Sequence, residues 1–235
     1  SGVRVQNSKY LNGRRVGSIA DYWPGHEIAL AFPEGTAVAV MRVTYERLAA
    51  TGLPPKMREW TIDSYRDVVV KGDAATRRYA SYAVTWISSD PASRTDVVIY
   101  GTNGTGKTGL GVSMLRGAYD RKDSVLFVTA RDMLASVREA MKALTGERAS
   151  EIEARYAEPH VLMIDELGGS ALTDYARDMI TALVDRRRKH NKATIITMNV
   201  AQASLNDTDG DTGLPKTPED QMAEMFGPRL SDRLY

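Results

Sequence analysis

Eight consecutive residues of this 235-residue chain have the types and spacing to hold a phosphate. Gly101, Thr102, Asn103, Gly104, Thr105, Gly106, Lys107 and Thr108 fit the pattern G-x-x-x-x-G-K-[ST]. They follow the β-rich run Val97-Val98-Ile99-Tyr100 and open a helical segment that continues through Gly109. The glycines let backbone N–H groups turn inward around anionic oxygens, and the helix start adds the positive end of its dipole at the same point. In such a P-loop, Lys107 reaches the β and γ phosphates of a nucleoside triphosphate and the Thr108 hydroxyl ligates Mg²⁺. The expected ligands are therefore ATP or ADP with Mg²⁺. A glycine-rich turn that happens to contain Lys-Thr is the bland alternative, but it gives no reason for a strand before and a helix after.

A second run, Val161-Leu162-Met163-Ile164-Asp165-Glu166, reads as a buried strand that delivers two carboxylates at its C-terminal end, where α/β sheets place their ligands. Asp165 is expected to hold the Mg²⁺ opposite Thr108. Glu166, near the metal but not on it, is expected to polarise an attacking water. An Asp-Glu pair after a strand is otherwise a solvated turn; its position some 60 residues after the phosphate loop favours chemistry. The next apolar run, Lys192 to Thr197, ends in Met198-Asn199, and Asn199 beside the Asp165 strand is placed to meet the γ-phosphate or the lytic water. Its alternative role is that of a simple turn former.

These groups need a scaffold, and the pattern around them supplies one. Strands over 96–100, 124–129, 160–164 and 193–197 alternate with helices from Lys107, over 131–144 and over 174–188. Each strand is a near-continuous apolar run, as a parallel sheet covered on both faces requires. Upstream, Asp73 caps a helix whose apolar positions Ala75, Tyr79, Tyr82 and Trp86 predict one buried face, and Asp90-Pro91 stops it. Residues 1–52 form a small N-terminal region, in which turn signals at Asn12-Gly13, Trp23-Pro24-Gly25 and Pro33-Glu34-Gly35 separate short strands such as those within 28–32 and 37–43. A short helix over 44–50 closes at Thr51-Gly52. Residues 53–72, opening with Leu53-Pro54-Pro55, form a linker, and 73–235 form the nucleotide-binding domain. Asn206 to Gly213 is a polar loop.

Composition narrows the classes. The chain is 43% hydrophobic with a formal charge of +1, no cysteine and three histidines, which excludes disulfides and thiolate zinc sites and leaves any metal to arrive with the nucleotide. A near-neutral charge requires that any nucleic acid be held by a local basic groove. No apolar run approaches the ~20 residues of a membrane span, and no leader pattern opens the chain, so a cytoplasmic location away from membranes is expected. The Ser-Gly start and the stop at Tyr235 suggest trimmed ends, the C-terminal end above all.

Taken in order, and with Gly227-Pro-Arg229-Leu-Ser-Asp232-Arg233-Leu234 at the end, these elements resemble the AAA+ ATPases of the DnaC/DnaI helicase-loader type and the IstB-like ATP-binding transposition helpers. Further carriers of the resemblance are Gly52-Leu-Pro-Pro-Lys-Met-Arg58, Trp60-Thr-Ile-Asp-Ser-Tyr65, Ala130-Arg-Asp-Met-Leu134 and Ala193-Thr-Ile-Ile-Thr-Met-Asn199. The resemblance implies an α/β P-loop NTPase fold of the AAA+ class, with Asn199 as sensor 1. It also implies Arg233 as an arginine finger acting on a neighbouring subunit in a ring or spiral, with Arg229 its competitor. The implied partners are a replicative DnaB-type helicase, bound through residues 1–50, and single-stranded DNA. Many loaders carry a cysteine zinc cluster before the Gly-Leu-Pro-Pro segment, which this chain lacks. The family's fifth core strand is expected beyond Arg233.

Within 131–144, Leu134, Val137, Met141 and Leu144 form an apolar seam, while Arg131, Arg138 and Lys142 fall on a separate stripe that either faces single-stranded DNA or is merely solvated. Arg186-Arg-Arg-Lys189 reads first as a helix end whose cations meet the negative end of the dipole, and second as a DNA contact. The leading functional expectation is an ATP-hydrolysing helicase loader. Its rivals are a transposition helper acting on duplex DNA, a nucleotide-switched binding protein with little turnover, and a small-molecule P-loop kinase. The adenine contacts are expected near Trp60 to Tyr65.

Overall fold

Local signals at the N-terminus produce short paired strands in the computed structural model. β1 (Tyr10–Leu11) and β2 (Arg14–Arg15) pair antiparallel across Asn12-Gly13, and β3 (Leu30–Ala31) pairs with β4 (Ala37–Val38). The structure describes these strands together with residues 47–65, 74–142, 146–168, 173–199 and 223; for the four short strands, 74–76, 141–142 and 146–150 it describes the backbone alone. The chain divides into two units, Ser1–Arg58 and Glu59–Tyr235. In the first, residues 47–50 are helical and Gly52, at φ 81°, ends the turn. Asp73, expected as a cap, the 206–213 stretch expected as a loop, and the arginines Arg229 and Arg233 lie outside the described residues.

The second unit carries the predicted parallel sheet. β5 (Val97–Gly101), β6 (Val125–Thr129), β7 (Val161–Asp165) and β8 (Ala193–Asn199) stand in the order β5-β8-β7-β6, all neighbours parallel. β8 is therefore inserted between the phosphate-loop strand and the carboxylate strand, and Gly101 pairs with Asn199. The helices are α1 (Ala74–Ser88), α2 (Lys107–Asp120), α3 (Ala130–Lys142), α4 (Gly146–Ala157) and α5 (Asp174–Lys189).

Strand parity decides what each face receives. Leu162 and Ile164 of β7 and Ile196 and Met198 of β8 point into a core shared with Met133 of α3, Tyr156 of α4, and Ile180 and Val184 of α5. Met163 and Ile195, the alternate residues, lie against Gly111 of α2. Asp165 is two residues beyond Met163, and Thr197 and Asn199 are two and four beyond Ile195, so all three belong to the α2 face. Burying a continuous apolar run on both faces stabilises each strand by about 1.5–3 kcal/mol per large side chain, which is what holds the polar ends still.

Three helix readings change. In α1, Tyr79 and Tyr82 are 59% and 50% exposed, and the buried face is Ala80, Ala83, Trp86 and Ile87. The reason is close packing on α2: Ile87 approaches Gly117 so nearly that a Cβ there would stand 2.6 Å from its Cδ1, and small alanines suit that contact better than tyrosines. In α3 the buried positions are Met133 and Ala140, with Leu134 and Val137 half-buried; the side chains of Met141 and Leu144 lie outside the described residues. Helix α4, between α3 and β7, was not expected; its acidic, Ala-rich composition hides a narrow apolar stripe, Ile152 and Tyr156, that packs on the core.

Within the Arg186–Lys189 run the three arginines make structural contacts, by a stronger device than the helix dipole. Arg187 is fully buried and donates to the carbonyls of Tyr156, Ala157, Pro159, His160 and Ala193 and to Thr194 Oγ1, at 2.6–3.5 Å. Burial lowers its guanidinium to about 10 against the pull of Asp96, so it stays charged at neutral pH. Arg188 Nε donates to Asp96 at 2.5 Å, and Arg186 pairs with Glu153. On the neighbouring strand end, Arg94 pairs with Asp123 at 2.5 Å.

Candidate functional site

The loop after β5 folds as its glycines require. Gly106 has φ 85°, a left-handed conformation that any residue with a Cβ adopts only under strain, and α2 begins directly after it. Lys107 is 8% exposed. Its Nζ donates to the Thr102 carbonyl at 2.6 Å and lies 3.5 Å from Thr105 Oγ1. Burial holds the Lys107 ammonium below the usual lysine value, while the charges of Asp165 and Glu166 pull it back up.

Thr108, on the first turn of α2, donates from Oγ1 to Asp165 Oδ1 at 2.9 Å. Sequence separation of 57 residues is thus closed by one hydrogen bond between the two groups expected to share a metal. Asp165 is 4% exposed, whereas Glu166 is exposed and has φ 58°, a rare conformation for a residue with a side chain. Asn199, half-buried, ends β8 beside Gly101.

A cavity of about 590 Å³ joins these groups. One wall is the loop from Asn103 to Gly109, another is Glu166, Thr197 and Asn199, and a third is Trp60, Ser64 and Tyr65. The third wall is built locally by a reciprocal cap: Thr61 N–H donates to Ser64 Oγ at 2.8 Å and Ser64 N–H to Thr61 Oγ1 at 3.1 Å. That turn is tied to α2, since Ser113 Oγ lies 3.1 Å from the Thr61 carbonyl and 2.7 Å from that of Gly109. It sets the Tyr65 ring against Gly106 and Gly109, and burial pushes the Tyr65 phenol above its usual range.

The residues fit a magnesium ion that arrives with its nucleotide. Among the described residues no group of three or more His, Asp or Glu side chains gathers to hold a metal alone. A hydroxyl and one carboxylate 2.9 Å apart, at the mouth of an anion cradle, are the sparse oxygen set that Mg²⁺ takes when phosphates and waters complete its shell.

Of the residues singled out in the sequence, the structure brings together Lys107, Thr108, Asp165, Glu166, Asn199 and the 60–65 segment. Thr197 was missed. Its hydroxyl reaches Asp165 Oδ1 at 2.5 Å and accepts the Glu166 N–H at 3.0 Å. The available signal was parity, two residues before Asn199 on the same face. Arg131 and Arg138 are exposed on α3, away from that cavity's lining; the Lys142 side chain lies outside the described residues.

A family model described as IstB-like ATP binding protein matches residues 34–223, well over half of the chain. The chain belongs to this IstB-like ATP-binding family. The IstB-like chain is also 23% identical over 194 residues to the replicative helicase loader DnaC of Escherichia coli K12, covering 83% of this chain and 69% of that protein. In fold it is similar to the crystal structure of the DnaC helicase loader, with TM-score 0.62 and 20% identity over 77% of this chain and 95% of that one. The DnaI crystal structure matches with TM-score 0.58 and 20% identity, over 77% and 89%. A replication initiator DnaA bound to AMPPCP and single-stranded DNA matches with TM-score 0.54 and 17% identity, over 72% and 52%. The fold of the IstB-like chain is accordingly the P-loop AAA+ fold. Among its described residues no helix is long and apolar enough to cross a membrane.

Proposed function

We propose that the chain is a magnesium-dependent ATPase that loads a replicative helicase onto single-stranded DNA. The observation that carries the hydrolytic part is the bond from Thr108 to Asp165, with Glu166 and Asn199 on the same cavity wall. The loop N–H groups from 101 to 108 and the Lys107 ammonium bind the phosphates, and the 60–65 segment takes the base. Thr108 and Asp165 would hold Mg²⁺, which supplies charge neutralisation on the phosphoryl oxygens. Glu166 accepts the proton of a water as the water oxygen bonds to the γ-phosphorus and the bond to the β–γ bridging oxygen breaks. Asn199 orients that water or the γ-phosphate. Arg233 of a neighbouring subunit stabilises the developing charge, which makes turnover depend on self-association.

Similarity to loaders in both sequence and fold supports the helicase and single-stranded DNA as partners, with Arg131 and Arg138 as exposed cations for the phosphate backbone. The family description favours a second reading, an IstB-like helper acting on duplex DNA. Steady-state ATPase with no DNA, single-stranded DNA or duplex separates them. Stimulation by single strands alone supports the loader. Stimulation by duplex alone supports the helper, and no turnover in any condition leaves a nucleotide-switched binding protein. Mixing Lys107→Ala with Arg233→Ala tests the finger: partial recovery of activity is expected if the arginine acts in trans, and none if it does not.

A further inference from the structure

We propose that Thr197 is the positioning residue for Glu166, holding the water-activating carboxylate's backbone in the conformation that hydrolysis requires. The inference rests on the hydrolytic reading of the site and names a residue that acts through another. Thr197 is 1% exposed, and its side chain has a single proton to give. Asp165, as a carboxylate, only accepts, so that proton goes to Oδ1 at 2.5 Å, and a lone pair remains for the Glu166 N–H at 3.0 Å. The Thr197 carbonyl takes the next donor, the Leu167 N–H, at 2.9 Å. Three successive residues of the β7 end are thereby fastened to one residue of β8.

The fastening coincides with the point of strain. At Glu166 the chain leaves the extended conformation of β7 for φ 58°, a state that persists only where surroundings over-determine it. Asn199, two residues along the same strand and on the same face, lines the cavity with Glu166. One short stretch of β8 therefore carries both a cavity-facing amide and the hydroxyl that holds the base. Whatever Asn199 contacts is registered with Glu166 through two residues of strand rather than through a loop.

The test uses the full chain with Thr197→Val, which keeps branching and removes the hydroxyl, and Thr197→Ser, which keeps the hydroxyl. The first readout is amide hydrogen exchange by NMR. In T197V the Glu166 amide is expected to exchange about tenfold faster, while the Leu167 amide, bonded to backbone, keeps its protection. The second is kinetic: turnover falls roughly ten- to a hundredfold with the Kd for Mg·ATP within about threefold, and T197S recovers most of the loss. If T197V does not fold, Thr197→Ala is read in the same way. Unchanged exchange at Glu166, turnover at the wild-type rate, or affinity that falls in step with turnover would each overturn the proposal. Absence of turnover in the unsubstituted protein would instead sink the hydrolytic reading, and the exchange measurement would still decide whether Thr197 holds Glu166.

Discussion

At the N-terminal edge of the sheet, arginine is matched to acceptors, and Arg187 and Arg94 are taken out of solvent. Arg187 reaches six oxygens, Arg188 meets Asp96, and Arg94 meets Asp123 with side chains 1% and 8% exposed. At the C-terminal edge of the same strands, Glu166 is exposed, Lys107 is buried with a carbonyl and a hydroxyl as its hydrogen-bond partners among the described residues, and a cavity separates them. One edge pairs its arginines internally, with Arg94 Nε left as a buried donor without a hydrogen-bond partner among the described residues; the other leaves charge for a ligand to satisfy. Hydroxyls mark the difference: Thr108 and Thr197 position Asp165 without neutralising it, which an arginine would do.

That contrast is broken most severely by Glu166→Gln. Turnover is expected to fall by about 10²–10⁴-fold with thermal stability unchanged, as read by phosphate release and calorimetric melting. Arg187→Ala should do the reverse. Leaving six acceptors, four of them buried, without their donor costs about 4 kcal/mol in urea unfolding, while nucleotide affinity of the folded fraction holds. A large loss of affinity with little loss of stability would show that the two edges are not separate.

Smaller effects sharpen the comparison. Lys107 titrates below the ordinary 10.5 because of burial, so its unfolded form binds the proton more tightly than its folded form. The sign follows: charged Lys107 weakens the fold at neutral pH, and that cost is relieved as pH rises through the lowered value. Phosphate affinity moves the other way, falling over the same alkaline window, and Lys107→Arg, charged throughout, should remove that limb in a titration of Kd against pH. Smallest is Arg186→Ala. Its pair with Glu153 leaves both side chains about half exposed, and its loss should cost under about 1 kcal/mol.

The four strands, the phosphate loop and both carboxylates were legible because each is written in a contiguous run whose neighbours confirm it. Runs of β-branched residues need no partner to be recognised, and Gly-Lys-Thr between strand and helix has one ready use. Thr197 was not legible, since a threonine inside an apolar strand reads as a good β former until β7 is set beside it. The tyrosines of α1 misled because their spacing is helical and their rings are apolar, whereas the face that packs is Ala80, Ala83, Trp86 and Ile87, with Ile87 seated against Gly117. The arginines at 186–188 announced a helix end, but the carbonyls that Arg187 gathers come from two segments distant in sequence, 156–160 and Ala193. Helix α4 was missed because two apolar residues one turn apart, Ile152 and Tyr156, suffice to pack it while Glu151, Glu153 and Arg155 stay exposed.

The central claim is that Thr108 and Asp165 form a metal site at the mouth of the 101–108 loop. Isothermal titration of ATP with magnesium and with EDTA, for the unsubstituted chain and for Asp165→Asn, addresses it most directly. Magnesium should tighten binding by about tenfold or more in the former and by little in the latter. Equal affinity with and without the metal, or an Asp165→Asn variant that responds to magnesium in full, would contradict it.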